Sequence, residues 1–96
     1  LTPVERELRI RLAVLSPLAV EVADESARHA GHAQARGLAH FNLRIVSEAF
    51  SGKSTLERHR LIHAALGELM RRDIHALSIA AFAPQELQST EKESHR

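Results

Sequence analysis

Residues 39–48, AHFNLRIVSE, followed by STLERHRLIHAALGELMRR at 54–72 and IHALSIAAF at 74–82, decide the fold of this chain. In the first stretch Phe41, Leu43 and Ile45 alternate with His40, Asn42 and Arg44, the period-two pattern of a half-buried strand, which predicts a strand over 39–48. In the second the period changes to 3.6. Leu56, His59, Ile62, His63, Leu66, Leu69 and Met70 fall on one face of a helical wheel, and the spacing predicts one long helix from Ser54 to Arg72. The third stretch alternates again, with Leu77 and Ile79 sharing a face with His75, and Pro84 closes it ahead of a short helical turn.

Working outward, Thr2-Pro3-Val4-Glu5 reads as a helix start: a hydroxyl cap, proline at the first helical position and a carboxylate placed to complete a capping box. Val4, Leu8, Leu12 and Leu15 make one apolar stripe, and Pro17 stops it, so a helix is expected over 3–15. Leu18, Val20 and Val22 alternate with smaller or charged residues, which predicts a strand ending near Asp24. Between this strand and the next lies Glu25 to Leu38, holding Gly31, Gly37, His29 and His32. That connection is much longer than a hairpin loop, and loops of such length are usually functional or mobile. From Gln88 onward the chain is polar and aperiodic. The reading is one domain over 1–87 in the order α-β-β-α-β with a last α, then a tail over 88–96.

Composition narrows the chemistry. With 96 residues, 44% hydrophobic and 26% charged, the chain has the balance of a small globular domain, and no apolar run approaches the length of a membrane helix. A cytoplasmic location is the default expectation, with no membrane contact. The net charge of +1 exerts no general pull on polyanions. There is no cysteine, so disulfides and thiolate ligands from this chain are excluded and metal contacts fall to imidazole or carboxylate. Seven histidines are the main chemical signal.

Four constellations follow. Gly52-Lys53-Ser54-Thr55 ahead of a helix suggests a phosphate loop, but that motif needs a glycine where Ser47 stands, so the segment reads as a turn with a hydroxyl cap. His59 and His63, four apart on a helix, share a face suited to zinc, yet no glutamate follows His59 and no third ligand is evident; boundary packing explains them better. Lys53, Arg58, Arg60, Arg71 and Arg72 form a basic segment able to meet phosphates, although the absence of tyrosine and tryptophan leaves little for base stacking. His29 and His32 in the long loop and His75 at the start of the last strand form the fourth set, whose value depends on whether the rings converge.

Val20-Glu21-Val22-Ala23-Asp24-Glu25-Ser26, His40-Phe41, Ile45 to Gly52, Arg58-His59-Arg60-Leu61-Ile62 and Ile74-His75-Ala76-Leu77 resemble, in order, the successive motifs of the BolA family. The resemblance covers about residues 3–87. It implies an α+β fold, αββαβ(α), like the second class of KH domains: a three-stranded mixed sheet packed against helices. It further implies a non-enzymatic adaptor, alone a monomer or weak dimer, that pairs with a monothiol glutaredoxin and shares a glutathione-supported [2Fe-2S] cluster for cluster assembly, transfer or iron and redox sensing. His75 would then be one iron ligand and His29 or His32 the other. The same resemblance implies a second role, transcription regulation through DNA contacts from Lys53, Arg58, Arg60, Arg71 and Arg72.

Overall fold

The computed structural model describes residues 2–26 and 39–87. Helix α1 spans Pro3–Leu12 and runs into one 3-10 turn at Ala13–Leu15. Strand β1 is Ala19–Asp24 and β2 is Ala39–Val46. A 3-10 turn at Glu48–Phe50 leads into α2, Thr55–Leu66, and α3, Glu68–Arg72, followed by β3, Ile74–Phe82, and a helical turn over 84–87. The sheet order is β1-β2-β3, with β1 antiparallel and β3 parallel to β2. The expected α+β fold with a mixed three-stranded sheet is therefore the observed one. The expected long loop with His29 and His32, and the expected tail, lie outside the described residues.

The core follows from the periodicities. Leu8 and Leu12 of α1 and Ile62, Leu66 and Leu69 of α2 and α3 close over Phe41, Leu43 and Ile45 on one face of β2, with Phe50 and Ile74 at the ends. The opposite face carries Glu21, Ala23, Asn42, Ser78 and Ala80, all exposed. Parallel β2 and β3 cannot be joined by a tight turn, and the segment between them supplies the crossover helix that buries their shared face. Leu18 was expected to open β1, but it lies just outside the strand with its side chain 68% exposed, although its N–H still reaches Val46 O at 2.8 Å.

Hydroxyl caps set the helix starts. Thr2 Oγ1 accepts the Glu5 N–H at 3.1 Å, while the Glu5 carboxylate turns to Arg9 one turn later at 3.4 Å. The reciprocal capping box forms instead at α2: Ser54 Oγ accepts the Glu57 N–H at 3.1 Å and Glu57 Oε1 accepts the Ser54 N–H at 2.8 Å. Those Ser54 contacts also hold the Glu57 carboxyl below its ordinary pKa. Ser47, the residue that breaks the phosphate-loop pattern, is buried and fully engaged. Its Oγ donates to Leu15 O at 2.6 Å and accepts the Ala49 N–H at 3.0 Å, and its N–H donates to Phe82 O at 2.9 Å, tying three segments at one point.

Three further expectations are corrected. The long helix is not continuous: Gly67 adopts φ 54° and ψ −129°, a conformation costly for any residue with a Cβ, and the axis breaks there between α2 and α3. The buried stripe of α2 is also displaced. Ile62 and Leu66 are buried and Leu61 and Ala65 half-buried, whereas Leu56 is 57% exposed and His63 is exposed. Arg58 takes the place foreseen for Leu56, laying its stem inward so that its side chain is only 11% exposed. Finally, His75 does not share a face with Leu77 and Ile79. Ala39 pairs with Ile74 but His40 pairs with Ala76, so His75 is an extra residue in a β-bulge. The bulge puts Ile74 into the core and leaves His75 exposed.

Arg58 fastens the C-terminal turn. Its Nε donates to Lys53 O at 2.8 Å and its Nη1 to Ala81 O at 3.0 Å, and the guanidinium forks onto Glu86 at 2.8 and 2.7 Å. Glu86 also accepts the Ala83 N–H at 2.9 Å. The Arg58 fork, more than the Ala83 amide, holds the Glu86 carboxyl at about 2 instead of 4.5. A depressed acid pKa adds stability above the unfolded value and loses it as pH falls through the folded one. Glu86→Gln should therefore lower the melting temperature above pH 4.5, with the difference from wild type shrinking between about 4.5 and about 2. Phe50→Ala, which empties a site with 0% exposure, should cost about 3–5 kcal/mol in urea unfolding, a large part of the stability of a domain this small.

Candidate metal centre

The end of the sheet where β1 stops and β2 and β3 begin is built by local hydrogen bonding. Asp24 Oδ1 accepts the Ser26 N–H at 2.9 Å, and Ser26 Oγ accepts the His40 N–H at 3.0 Å. The Glu25 N–H donates to His40 O at 2.8 Å, extending the β1–β2 ladder one step, and Glu25 Oε2 accepts from Asn42 Nδ2 at 3.3 Å. On the other side the Ala39 N–H donates to Asp73 O at 3.1 Å. The His40 backbone is thus held from β1, and the start of β3 is held beside it. The polar alternation of β2 then places the His40 side chain away from the core, where it is half-buried.

Next to it stands His75. With no partner on β2 to keep it in the alternating pleat, its imidazole is exposed and lies with its ring centroid 5.1 Å from that of His40, the planes tilted by 33°. Of the three histidines expected to form a metal set, the structure describes His75 alone, since His29 and His32 lie outside the described residues. Sequence reasoning missed His40. Its only advance signal was membership of the outward-facing positions of β2, and the neighbour that makes it interesting depends on the bulge. Among the described residues no three His, Cys, Asp or Glu side chains converge into a metal cage, so His40 and His75 are a partial ligand set. His59, half-buried, and His63, exposed, sit apart on α2.

The basic set does not form one surface. Arg58 is consumed by internal contacts, and hydrogen bonding to Glu86 raises its pKa further. Arg71 pairs with Glu68, and Arg72 pairs with Asp73 at 2.9 Å, which raises the Arg72 pKa. Lys53 and Arg60 border a shallow surface pocket with Glu57 and Leu61 near the start of α2. The 12 residues of α2 separate that end from Arg71 and Arg72 by roughly 18 Å of helix. A second depression, of about 440 Å³, lies on the open sheet face between Glu21, Asn42, Arg44 and Ser78. It is lined in part by the Arg44 side chain, which pairs with Glu21 at 3.7 Å and lies 5.2 Å over the Phe82 ring.

Comparison with known proteins agrees with this architecture. The family model described as BolA-like protein matches residues 12–86. SufE-like protein 1 of Arabidopsis thaliana is 50% identical, over 85% of this chain and 24% of its own length. BolA-like protein 1 of Pongo abelii is 46% identical, over 85% of this chain and 59% of its own. The DNA-binding transcriptional regulator BolA of Escherichia coli is 36% identical, over 86% of this chain and 74% of its own. The chain thus spans a quarter to three fifths of the first two relatives. Among solved structures, the BolA domain of SufE1 from Arabidopsis thaliana superposes with a TM-score of 0.80 at 47% identity, covering 90% of this chain and 98% of that one. No helix among the described residues is long and apolar enough to cross a membrane. With the sequence matched from the end of α1 through the C-terminal turn, and the fold superposing on a BolA domain over nine tenths of its length, this chain belongs to the BolA-like protein family.

Proposed function

We propose that this chain is a non-enzymatic adaptor that carries a [2Fe-2S] cluster as shared cargo with a monothiol glutaredoxin and glutathione, with His75 and either His29 or His32 as its iron ligands. The observation that carries the reading is the exposure of His75 at the β3 bulge, beside the point where the 27–38 segment leaves β1 and rejoins β2. His29 follows Ser26 by three residues, a reach of at most about 10 Å, and Ser26 is hydrogen-bonded to the His40 backbone.

The donor chemistry suits the cargo. Without cysteine, this chain offers neutral imidazole, and the thiolates of the pair come from the glutaredoxin and glutathione side. Exchanging thiolate for imidazole removes negative charge from the ligand set and raises the reduction potential, as in Rieske centres. Imidazole is also the ligand most readily released by protonation near neutral pH, which favours handing the cluster on over storing it. His75→Ala should abolish the visible absorption and dichroism of the mixed complex while leaving the melting temperature of the free chain nearly unchanged, because the side chain is exposed. A mixed complex with wild-type spectra would remove His75 from the ligand set.

A second reading is favoured by one observation, the similarity to a relative named as a DNA-binding regulator. For this chain it rests on Lys53 and Arg60, the members of the basic set gathered at one pocket, and not on Arg58. If DNA is bound there, the double variant Lys53→Ala/Arg60→Ala should flatten the slope of log affinity against log salt by roughly 2, about one unit for each phosphate no longer neutralised. An unaltered slope in fluorescence anisotropy would exclude that surface.

A further inference from the structure

Strand β1 is an outer strand of the sheet, so one of its backbone edges has no strand beside it. The Glu25 N–H donates to His40 O, and backbone direction alternates along a strand. The N–H and C=O groups of Ala19, Glu21 and Ala23 therefore turn toward β2, and those of Val20, Val22 and Asp24 turn outward. The contact of Arg9 Nη1 with Val20 O, at 3.3 Å, is the one hydrogen bond that this outer edge makes among the described residues. Edge strands are normally blunted by proline, lysine or a bulge, but β1 reads Ala-Val-Glu-Val-Ala-Asp and its register with β2 is unbroken.

The other outer strand, β3, is closed more firmly, because Arg58 reaches Ala81 O at 3.0 Å while locked onto Glu86 at 2.8 and 2.7 Å. Arg9 is held loosely: Glu5 lies at 3.4 Å, and the buried Arg9 Nε has no acceptor. The β1 sequence is also complementary to itself. Antiparallel pairing with a second copy, centred on Val22, sets Val22 opposite Val22, Val20 opposite Asp24 and Glu21 opposite Ala23, with no like charges facing. Centring on Glu21 sets Glu21 against itself, centring on Ala23 sets Glu21 against Glu25, and centring on Val20 brings the two Arg9 side chains together. The Val22 register also answers Arg9. Asp24 shares the helix-side face with Val20 and Val22, so each Asp24 carboxylate arrives beside the Arg9 guanidinium of the other copy.

We propose that the outer edge of β1 is a self-association surface, on which a second copy of this chain adds its own β1 antiparallel about Val22 and doubles the three-stranded sheet. In the pair, each Asp24 N–H donates to Val20 O of the other copy, and Arg9 turns from that carbonyl to the Asp24 carboxylate. The surface is independent of the cluster reading and uses none of its ligands.

The test is sedimentation equilibrium of the chain from micromolar to millimolar concentration, which should give a monomer–dimer equilibrium. Ala23 is exposed, so its variants report on pairing without emptying the core. Ala23→Glu, which sets a carboxylate opposite Glu21 twice per dimer, should weaken association by about fivefold, and Ala23→Lys should strengthen it by a similar factor. Asp24→Asn keeps the Oδ1 acceptor for the Ser26 N–H and should also weaken association by about fivefold, with less dependence on salt. In a mixture of 13C-labelled and unlabelled chains, a filtered NOE should join Glu21 Hα of one copy to Ala23 Hα of the other, the close contact of a non-hydrogen-bonded antiparallel pair. Amide spectra report whether each variant keeps its fold, and the NOE needs no variant. A chain that stays monomeric at millimolar concentration, Ala23 variants that act with the same sign, an Asp24→Asn dimer of wild-type affinity, or a dimer without that NOE overturns the proposal.

Discussion

The parallel pairing of β2 with β3 is the constraint on which the rest of the molecule depends. Parallel neighbours need a crossover, and the residues between them provide α2 and α3, whose Ile62, Leu66 and Leu69 close the face holding Phe41, Leu43 and Ile45. Helix α1 adds Leu8 and Leu12 to the same layer. One face of the sheet is thereby used up on stability. The other face, and the end where the strands begin, are left to small, polar and ionisable side chains.

The histidine end of the sheet shows how a stability requirement sets the placement of a polar side chain. Ile74 has to face the core, and Leu77 has to face it too, but side chains three positions apart in a regular strand point to opposite faces. The bulge resolves this by inserting His75 as an unpaired residue. The cost is one interrupted step of the ladder. Its consequence is an exposed imidazole held beside His40, at the margin of the segment that carries the loop histidines.

Several of the described arginines are architectural. Arg58 replaces an apolar side chain on the inner face of α2 and closes the C-terminal turn through Glu86. Arg9 donates to Val20 O at 3.3 Å on the outer edge of β1, and Arg11 donates to Leu66 O at 3.3 Å at the end of α2. A basic stretch in sequence therefore does not translate into a basic surface. Fork-shaped donors that satisfy backbone carbonyls and carboxylates have few protons left for phosphate.

The sequence by itself determined the order of helical and strand segments, because period-two and period-3.6 patterns are local and the caps at Thr2 and Ser54 mark helix starts within four residues. It also determined that any metal ligand from this chain is imidazole or carboxylate, since no cysteine is present. It failed at Leu56, Arg58 and His63, because a hydropathy pattern ranks side chains by polarity and cannot foresee a long cationic stem laid against a strand edge. Only the tertiary structure decided that the helix breaks at Gly67, that Arg58 belongs to the interior, and that His40 and His75 meet. The meeting of the two histidines arises from register between strands far apart in the chain, and register is fixed by packing the whole core at once, not by any pattern within one segment.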